Sequence, residues 1–295
     1  MGKIETPFEH AATAILSKTR EIDALEGTTN WSLASPHMDT TTLLLIVQYD
    51  GGRFSGWQRQ AEARTVQGEI ERTLTRITGE FIQVSGAGRT DSGVHAVGQG
   101  ASIKVPKRWT APAIRRALNA LLPEDIWIAE SHEMVAAFHA RFSATARRYG
   151  YLVGTDEAAK SPFRRRYEWS VPYPINGDAL AEESAALLGE HTFRAFAVAR
   201  TAPVGDDHRC NIREARWTRH EGRWEFEIEA NRFLHHMVRF LVGTLIDVGQ
   251  GRRPRGTIAR LLMAPDNLDT SSLAPSRGLT LRRVYYPADL YLPQS

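Results

Sequence analysis

Trp224-Glu225-Phe226-Glu227-Ile228-Glu229-Ala230 is the stretch whose reading decides the class of fold. Bulky apolar side chains at 224, 226 and 228 alternate with glutamates, the period of two that a strand shows when one face is buried and the other meets water. Such alternation belongs to antiparallel sheet, because strands covered on both faces read as unbroken apolar runs. Residues 212–218 read as the paired strand. Upstream, residues 43–48 form a continuous apolar run entering the Tyr49-Asp50-Gly51-Gly52 turn. Val66, Ile70, Leu74 and Ile77 then recur at helical spacing, with Thr65 as N-cap and Gly79 as stop.

Residues 81–84 read as a strand leading into a glycine-rich loop, and 101–105, 126–129 and 149–153 as further strands. Helices are expected at 112–122, 179–188, 234–248 and 257–263, and a last strand at 279–285. Strands and helices mingle without regular alternation, so the expected class is α+β. Two α/β halves would form a largely antiparallel central sheet with helices packed on it and an active-site cleft between them. The expected divisions are an extension over 1–41, halves over 42–140 and 141–290, and a tail over 291–295. Phe8, Ala12, Ile15, Ile22 and Leu25 would line one helix face, but residues 26–42 are polar and mixed.

With 295 residues and 42% hydrophobic composition, the chain has material for a sizeable core. One cysteine, Cys210, excludes an internal disulfide framework and a cysteine-rich zinc site. No apolar run nears the roughly 18 residues of a membrane span, and the N-terminus lacks the pattern of a secretion signal. Its Met-Gly-Lys-Ile-Glu-Thr opening fits a lipidation pattern too short and degenerate to count. The expectation is a cytoplasmic protein. Net charge is only +3, yet all but five of the 37 basic residues are arginine. Arginine suits phosphates and stacks on bases, so the bias hints at a nucleic acid, although a GC-rich genome gives the same bias. Clusters stand at Arg147 and Arg148, Arg164 to Arg166, Arg252, Arg253 and Arg255, and Arg282 and Arg283.

Chemistry concentrates in Gly86-Ala87-Gly88-Arg89-Thr90-Asp91-Ser92-Gly93-Val94-His95-Ala96. The glycines let backbone approach a ligand, while Arg89 and Asp91 set a cation and a carboxylate two residues apart. Asp91 could serve as nucleophile or base, or simply cap a surface turn. A dinucleotide fingerprint fails because Asp91 stands where the third glycine should fall and a strand follows. Asp91-Ser92-Gly93 resembles an aspartic-protease triplet, but that chemistry needs two facing carboxylates. No nucleophile elbow surrounds Ser92.

Taken together, Tyr49-Asp50-Gly51, residues 54–60 (Phe-Ser-Gly-Trp-Gln-Arg-Gln), 65–68 (Thr-Val-Gln-Gly) and the loop at 86–96 resemble the tRNA pseudouridine synthase A family. The likeness continues through Phe138-His139-Ala140-Arg141-Phe142-Ser143-Ala144, Arg148-Tyr149-Gly150-Tyr151, residues 233–239 with Val242-Gly243-Thr244-Leu245, and Ala274-Pro275 with Gly278-Leu279. It covers about residues 42–290, in order. The resemblance implies isomerisation of uridine to pseudouridine in the tRNA anticodon stem-loop, at positions 38, 39 and 40, by a homodimer without cofactor or metal. Asp91 matches the catalytic aspartate, Arg239 its ion-pair partner, Arg89 a residue that helps displace the base, Tyr149 a ring that stacks on uracil, and Leu279 a pocket wall. Attack on the sugar or the base and removal of the C2′ proton remain open, and each needs an ionised Asp91, which a cationic partner favours. A non-catalytic tRNA-binding protein or chaperone is the alternative. His235 and His236, on adjacent helix positions about 100° apart, would make a poor chelating pair, and a structural or RNA-contact role is expected instead.

Two departures stand out. Cys210 occupies a position where arginine is common in the family, so one RNA contact is expected to be missing. Family members also begin shortly before the Tyr-Asp-Gly turn, and Met38 stands where such a chain would start. Residues 1–37 are therefore expected to be a misassigned start or a disordered tail. The intact mass of the native protein tests this, because a product beginning at Met1 removes the first option.

Overall fold

The computed structural model describes residues 39–198 and 207–293. Residues 1–38, including the pattern from Phe8 to Leu25, lie outside the described residues. In chain order the elements are β1 (Thr40–Tyr49), α1 (Val66–Thr78), β2 (Ser85–Gly86), β3 (His95–Pro106), α2 (Ala111–Leu121), β4 (Ile126–Met134), β5 (Ala146–Gly154), β6 (Trp169–Ser170), α3 (Gly177–Ala185), β7 (Gly189–Thr192), β8 (Arg209–His220), β9 (Arg223–Ala230), α4 (Met237–Gly249), α5 (Thr257–Leu262) and β10 (Leu279–Tyr285). The strands join in one mixed sheet ordered β4-β1-β3-β10-β5-β9-β8-β7, with β2 on β3 and β6 on β5. Among the described strands the pairing is antiparallel except between β3 and β10 and between β5 and β6.

Two apolar cores flank this sheet. Leu43 and Leu45 of β1 belong to one with Ile70 and Leu74 of α1 and Ile114 and Leu118 of α2. Phe226 and Ile228 of β9 belong to the other with Leu241 and Leu245 of α4. Consecutive Leu43, Leu44 and Leu45 are all fully buried, so β1 is covered on both faces. That coverage explains an unbroken apolar run in an antiparallel strand. Helix α1 starts where the Thr65 hydroxyl accepts the Gly68 N–H and stops at Gly79, whose φ of +83° suits glycine.

On β9, Phe226, Ile228 and Ala230 are buried as the alternation requires, but the glutamate face is not open to water. Arg148 of β5 reaches Glu229 at 2.9 Å, Arg282 of β10 reaches Glu225 at 2.9 Å, and Arg216 of β8 pairs with Glu227. These cross-strand ion pairs leave Glu229 only 13% exposed. Each pair adds a fraction of a kcal/mol and fixes register by charge.

Two expectations need correction. Residues 81–84 are not a strand: the Val84 N–H donates to Glu71 Oε1 at 3.1 Å and the Val84 carbonyl accepts from Gln67 at 2.9 Å. Side chains of α1 take the bonds that a neighbouring strand would otherwise take, and ladder pairing begins only at Ser85. The helix expected from 234 begins at Met237, because His236 before it is left-handed at φ +63°. Cys210 is buried in the second core, among apolar side chains.

Phe226 therefore carries much more of the stability than the glutamates beside it. Phe226→Ala should lower the unfolding free energy by about 3–5 kcal/mol. Glu227→Gln should cost less than about 1 kcal/mol, and urea unfolding followed by circular dichroism measures both.

Candidate active site

The loop between β2 and β3 is held from below by the turn after β1. Trp57 N–H donates to the Thr90 carbonyl at 3.1 Å, and the Tyr49 and Thr90 hydroxyls are 2.8 Å apart. Ser92 donates to the Phe54 carbonyl at 3.2 Å, and Gln99 of β3 donates to the Gly88 carbonyl at 2.8 Å. Gly56 passes so close under the loop, at φ +94°, that an added Cβ would lie 2.7 Å from the Thr90 oxygen. Gly93 sits at φ +79° with an added Cβ only 2.5 Å from the Ser276 hydroxyl. Both positions require glycine, so the loop can take this path only with these residues.

Asp91 does not cap its own turn. Its Oδ2 lies 3.1 Å from a terminal guanidinium nitrogen of Arg239 on α4, and Arg239 Nε donates to the Ala274 carbonyl at 2.8 Å. The Ala274 N–H returns a bond to the Arg239 main-chain carbonyl at 3.1 Å, so Ala274 holds both the backbone and the side chain of Arg239. Asp91 and Arg239 are 19% and 15% exposed, which leaves the carboxylate reachable but poorly screened.

Two further groups face the same carboxylate. His236 Nε2 is 3.2 Å from Oδ2 and His235 Nε2 is 3.6 Å from Oδ1. Their rings lie 3.9 Å apart by centroid, because the pair occupies the turn before α4 and His236 is left-handed. The 100° helix argument therefore does not apply to them, and the sequence reading missed them as neighbours of Asp91. Their place four and three residues before Arg239 was the available signal. Their ligand atoms and that of Asp91 all lie within 4.8 Å of one another. A divalent cation there would compete with Arg239 for the same oxygen and stand against its guanidinium.

Burial pushes the His236 pKa below its ordinary value of 6.5, against the opposing pull of Asp91 and with His235 and Arg239 adding to the depression. The ring is neutral at pH 7. A histidine depressed in the fold contributes stability above about pH 6.5 that is lost as pH falls further.

Tyr149 of β5 stands half-buried beside this group, edge-on to Phe233 with ring centroids 5.1 Å apart. Burial, helped by the Asp91 charge, pushes its phenol up to about 12, so the ring stays neutral. Arg89 is exposed, and its Nε donates to Gln58 Oε1 at 3.1 Å. Leu279 opens β10 opposite Tyr151 and is 5% exposed within the second core. Asp91, Arg239 and Tyr149 thus come together, Arg89 is exposed on the loop, and Leu279 is buried at the start of β10. A hollow of about 680 Å³ near Trp224 and Tyr173 includes none of these residues.

The site therefore offers one carboxylate gripped by an arginine beside an aromatic ring, on an arginine-rich α+β scaffold. The chain belongs to the tRNA pseudouridine synthase family, whose sequence profile matches residues 45–143 and 184–287. Asp91, Arg89, Arg239 and Leu279 fall inside the matched segments and Tyr149 falls between them. The chain is 42% identical over 245 residues to tRNA pseudouridine synthase A of Latilactobacillus sakei subsp. sakei (strain 23K), covering 82% of this chain and 97% of that one. It is 41% identical over 249 residues to the protein of the same name from Geobacillus kaustophilus (strain HTA426), covering 84% and 95%. The corresponding protein of Maridesulfovibrio salexigens is 38% identical over 247 residues, covering 82% and 89%. A chain of a Cbf5-Nop10-Gar1 complex overlaps 81% of this chain and 58% of its own at 11% identity and a TM-score of 0.35, too loose to define a shared fold.

The electrostatics of the site make a direct forecast. Nuclear magnetic resonance titration of His236 should give a midpoint below 6.5, and a lower one in Asp91→Asn, where the carboxylate that favours the imidazolium is gone. A midpoint at or above 6.5 in both proteins would contradict this electrostatic picture.

Proposed function

We propose that the protein isomerises uridine to pseudouridine at positions 38, 39 and 40 of the tRNA anticodon stem-loop, with Asp91 as the catalytic carboxylate. The observation that carries the reading is the Asp91–Arg239 pair at 3.1 Å, formed inside the segments that match the family. The reaction breaks the bond from N1 of uracil to C1′ and forms one from C5 to C1′. N1 gains a proton and C5 loses one, so the change is redox-neutral and needs no oxidant or co-substrate.

Asp91 is the group to act on the ribose or the base once the nucleotide leaves its stack. Arg239 holds Oδ2 and so orients the carboxylate, while Oδ1, 3.6 Å from His235 Nε2, is the oxygen proposed to meet the substrate. Extrusion of the base costs a few kcal/mol, and stacking on an aromatic side chain returns ~1–3 kcal/mol. Tyr149 is the residue proposed to provide that ring, with Leu279 as the apolar wall behind it. Arg89 has no carboxylate within 4.0 Å among the described residues, so its flat cation is available to fill the space left by the base or to meet a phosphate. The homodimer and the cytoplasmic setting of the proposal rest on the family resemblance.

Asp91→Asn preserves side-chain shape and removes the charge. It should keep the wild-type melting temperature, bind tRNA with similar affinity, and release tritium from 5-tritiated uridine in tRNA at least ~10³-fold more slowly. Release at the wild-type rate would falsify the assignment of Asp91. Binding without release by the wild-type protein would favour a non-catalytic tRNA-binding protein.

A further inference from the structure

Arg147 has no place in the chemistry described so far, yet its guanidinium makes an unusual set of bonds. One terminal nitrogen donates to the carbonyls of Ala144 at 3.2 Å and Asn231 at 2.9 Å. The other donates to the carbonyls of Ala87 at 3.0 Å and Arg141 at 2.9 Å. All four acceptors are main chain, and among the described residues no carboxylate lies within 4.0 Å of Arg147. Its neighbour Arg148, on the opposite face of β5, does the reverse and pairs with Glu214 and Glu229. A cation that binds only backbone fixes where the backbone is, and that is a different task from neutralising charge.

The three segments so joined each lead directly into the site. Ala87 lies in the loop four residues before Asp91. Asn231 begins the turn that carries Phe233, His235 and His236 and then enters α4 at Met237, two residues before Arg239. Arg141 and Ala144 lie in the loop that enters β5, where Tyr149 follows Arg147 on the same face of the strand. Burial pushes the Arg147 guanidinium below its ordinary pKa, opposed by Tyr286 and Tyr149.

We infer that Arg147 is a positioning residue, a clamp that sets the Asp91 loop against the turn that bears His236 and leads into α4 with Arg239, and so fixes the distance across the reacting carboxylate. The inference rests on the function proposed above for its kinetic consequence, but the clamp itself is a statement about two loops. Lysine cannot replace arginine here: one ammonium carries three N–H donors on a single atom, whereas the planar fork spreads its donors to carbonyls on both sides. A loosened clamp would leave tRNA binding largely intact, because both terminal nitrogens of Arg147 are taken up by backbone carbonyls rather than offered to phosphate. It would misplace Asp91, and displacement of about 1 Å at a reacting group costs on the order of 100-fold in rate.

The test uses full-length Arg147→Lys, with Arg147→Gln as a second variant in case either is too unstable to assay. Three quantities are compared with wild type: kcat for pseudouridine formation at saturating tRNA, Kd for tRNA, and amide hydrogen exchange. Arg147→Lys should lower kcat roughly 10- to 100-fold with Kd changed less than about threefold. Exchange should quicken roughly tenfold in residues 86–96 and 231–236 and stay unchanged in β1 and α1. Wild-type kcat in Arg147→Lys, or unchanged exchange in those two loops, would overturn the inference. If the wild-type protein forms no pseudouridine, the functional reading fails, while the exchange data still decide whether the clamp exists.

Discussion

Two residue pairs of parallel strand join the two arms of the sheet. Thr280 and Leu281 of β10 pair with His95 and Ala96 of β3, and everything else in the sheet is built outward from that seam. On one side lie β3, β1 and β4 with their leucine-rich core; on the other lie β5, β9, β8 and β7 with the core around Phe226. His95 is also the residue at which the Asp91 loop becomes strand, and Leu279 stands one residue before the seam. Across β10, Tyr149 sits opposite Leu281 and packs against both cores. A short parallel pairing thus gathers the loop, the ring and the apolar wall from positions nearly 190 residues apart along the chain. The Asp91–Arg239 ion pair and the Arg147 clamp then fasten the same junction from above.

Charge is distributed with the same economy of place. Most arginines of the sequence clusters are committed to carboxylates: Arg164 to Asp156 and Glu168, Arg166 to Asp50, Arg252 to Asp247, Arg255 to Glu182 and Arg282 to Glu225. Exposed pairs of this kind add little stability, and each presents little net charge to a distant polyanion. Clustering in sequence was therefore a poor guide to which cations are available, whereas Arg89, with no carboxylate within 4.0 Å among the described residues, stands on the loop that carries Asp91.

Much of the fold was legible because burial writes a period into the chain. The alternation at 224–230, the helical spacing from Val66 to Ile77 and the terminal strand at 279–285 all appear where their patterns place them. Failures came where side chains replace backbone as partners. Residues 81–84 carry a strand-like composition, but Glu71 and Gln67 take their hydrogen bonds. His235 and His236 follow a helical pattern, yet the left-handed His236 turns both rings toward Asp91. No local pattern reports such long-range or strained contacts. Motif resemblance supplied Asp91 and Arg239 as a pair, a link across 148 positions that spacing alone could not make.

The central claim is that this site rearranges uridine in the anticodon arm of tRNA. Its most direct measurement is nucleotide-resolved mass spectrometry of an unmodified tRNA transcript, carrying uridines at 38, 39 and 40 and elsewhere, after incubation with the purified protein and labelling of pseudouridine. Pseudouridine confined to those three positions is the expected result. A transcript recovered with uridine intact throughout, or modified outside the anticodon arm, would contradict the claim.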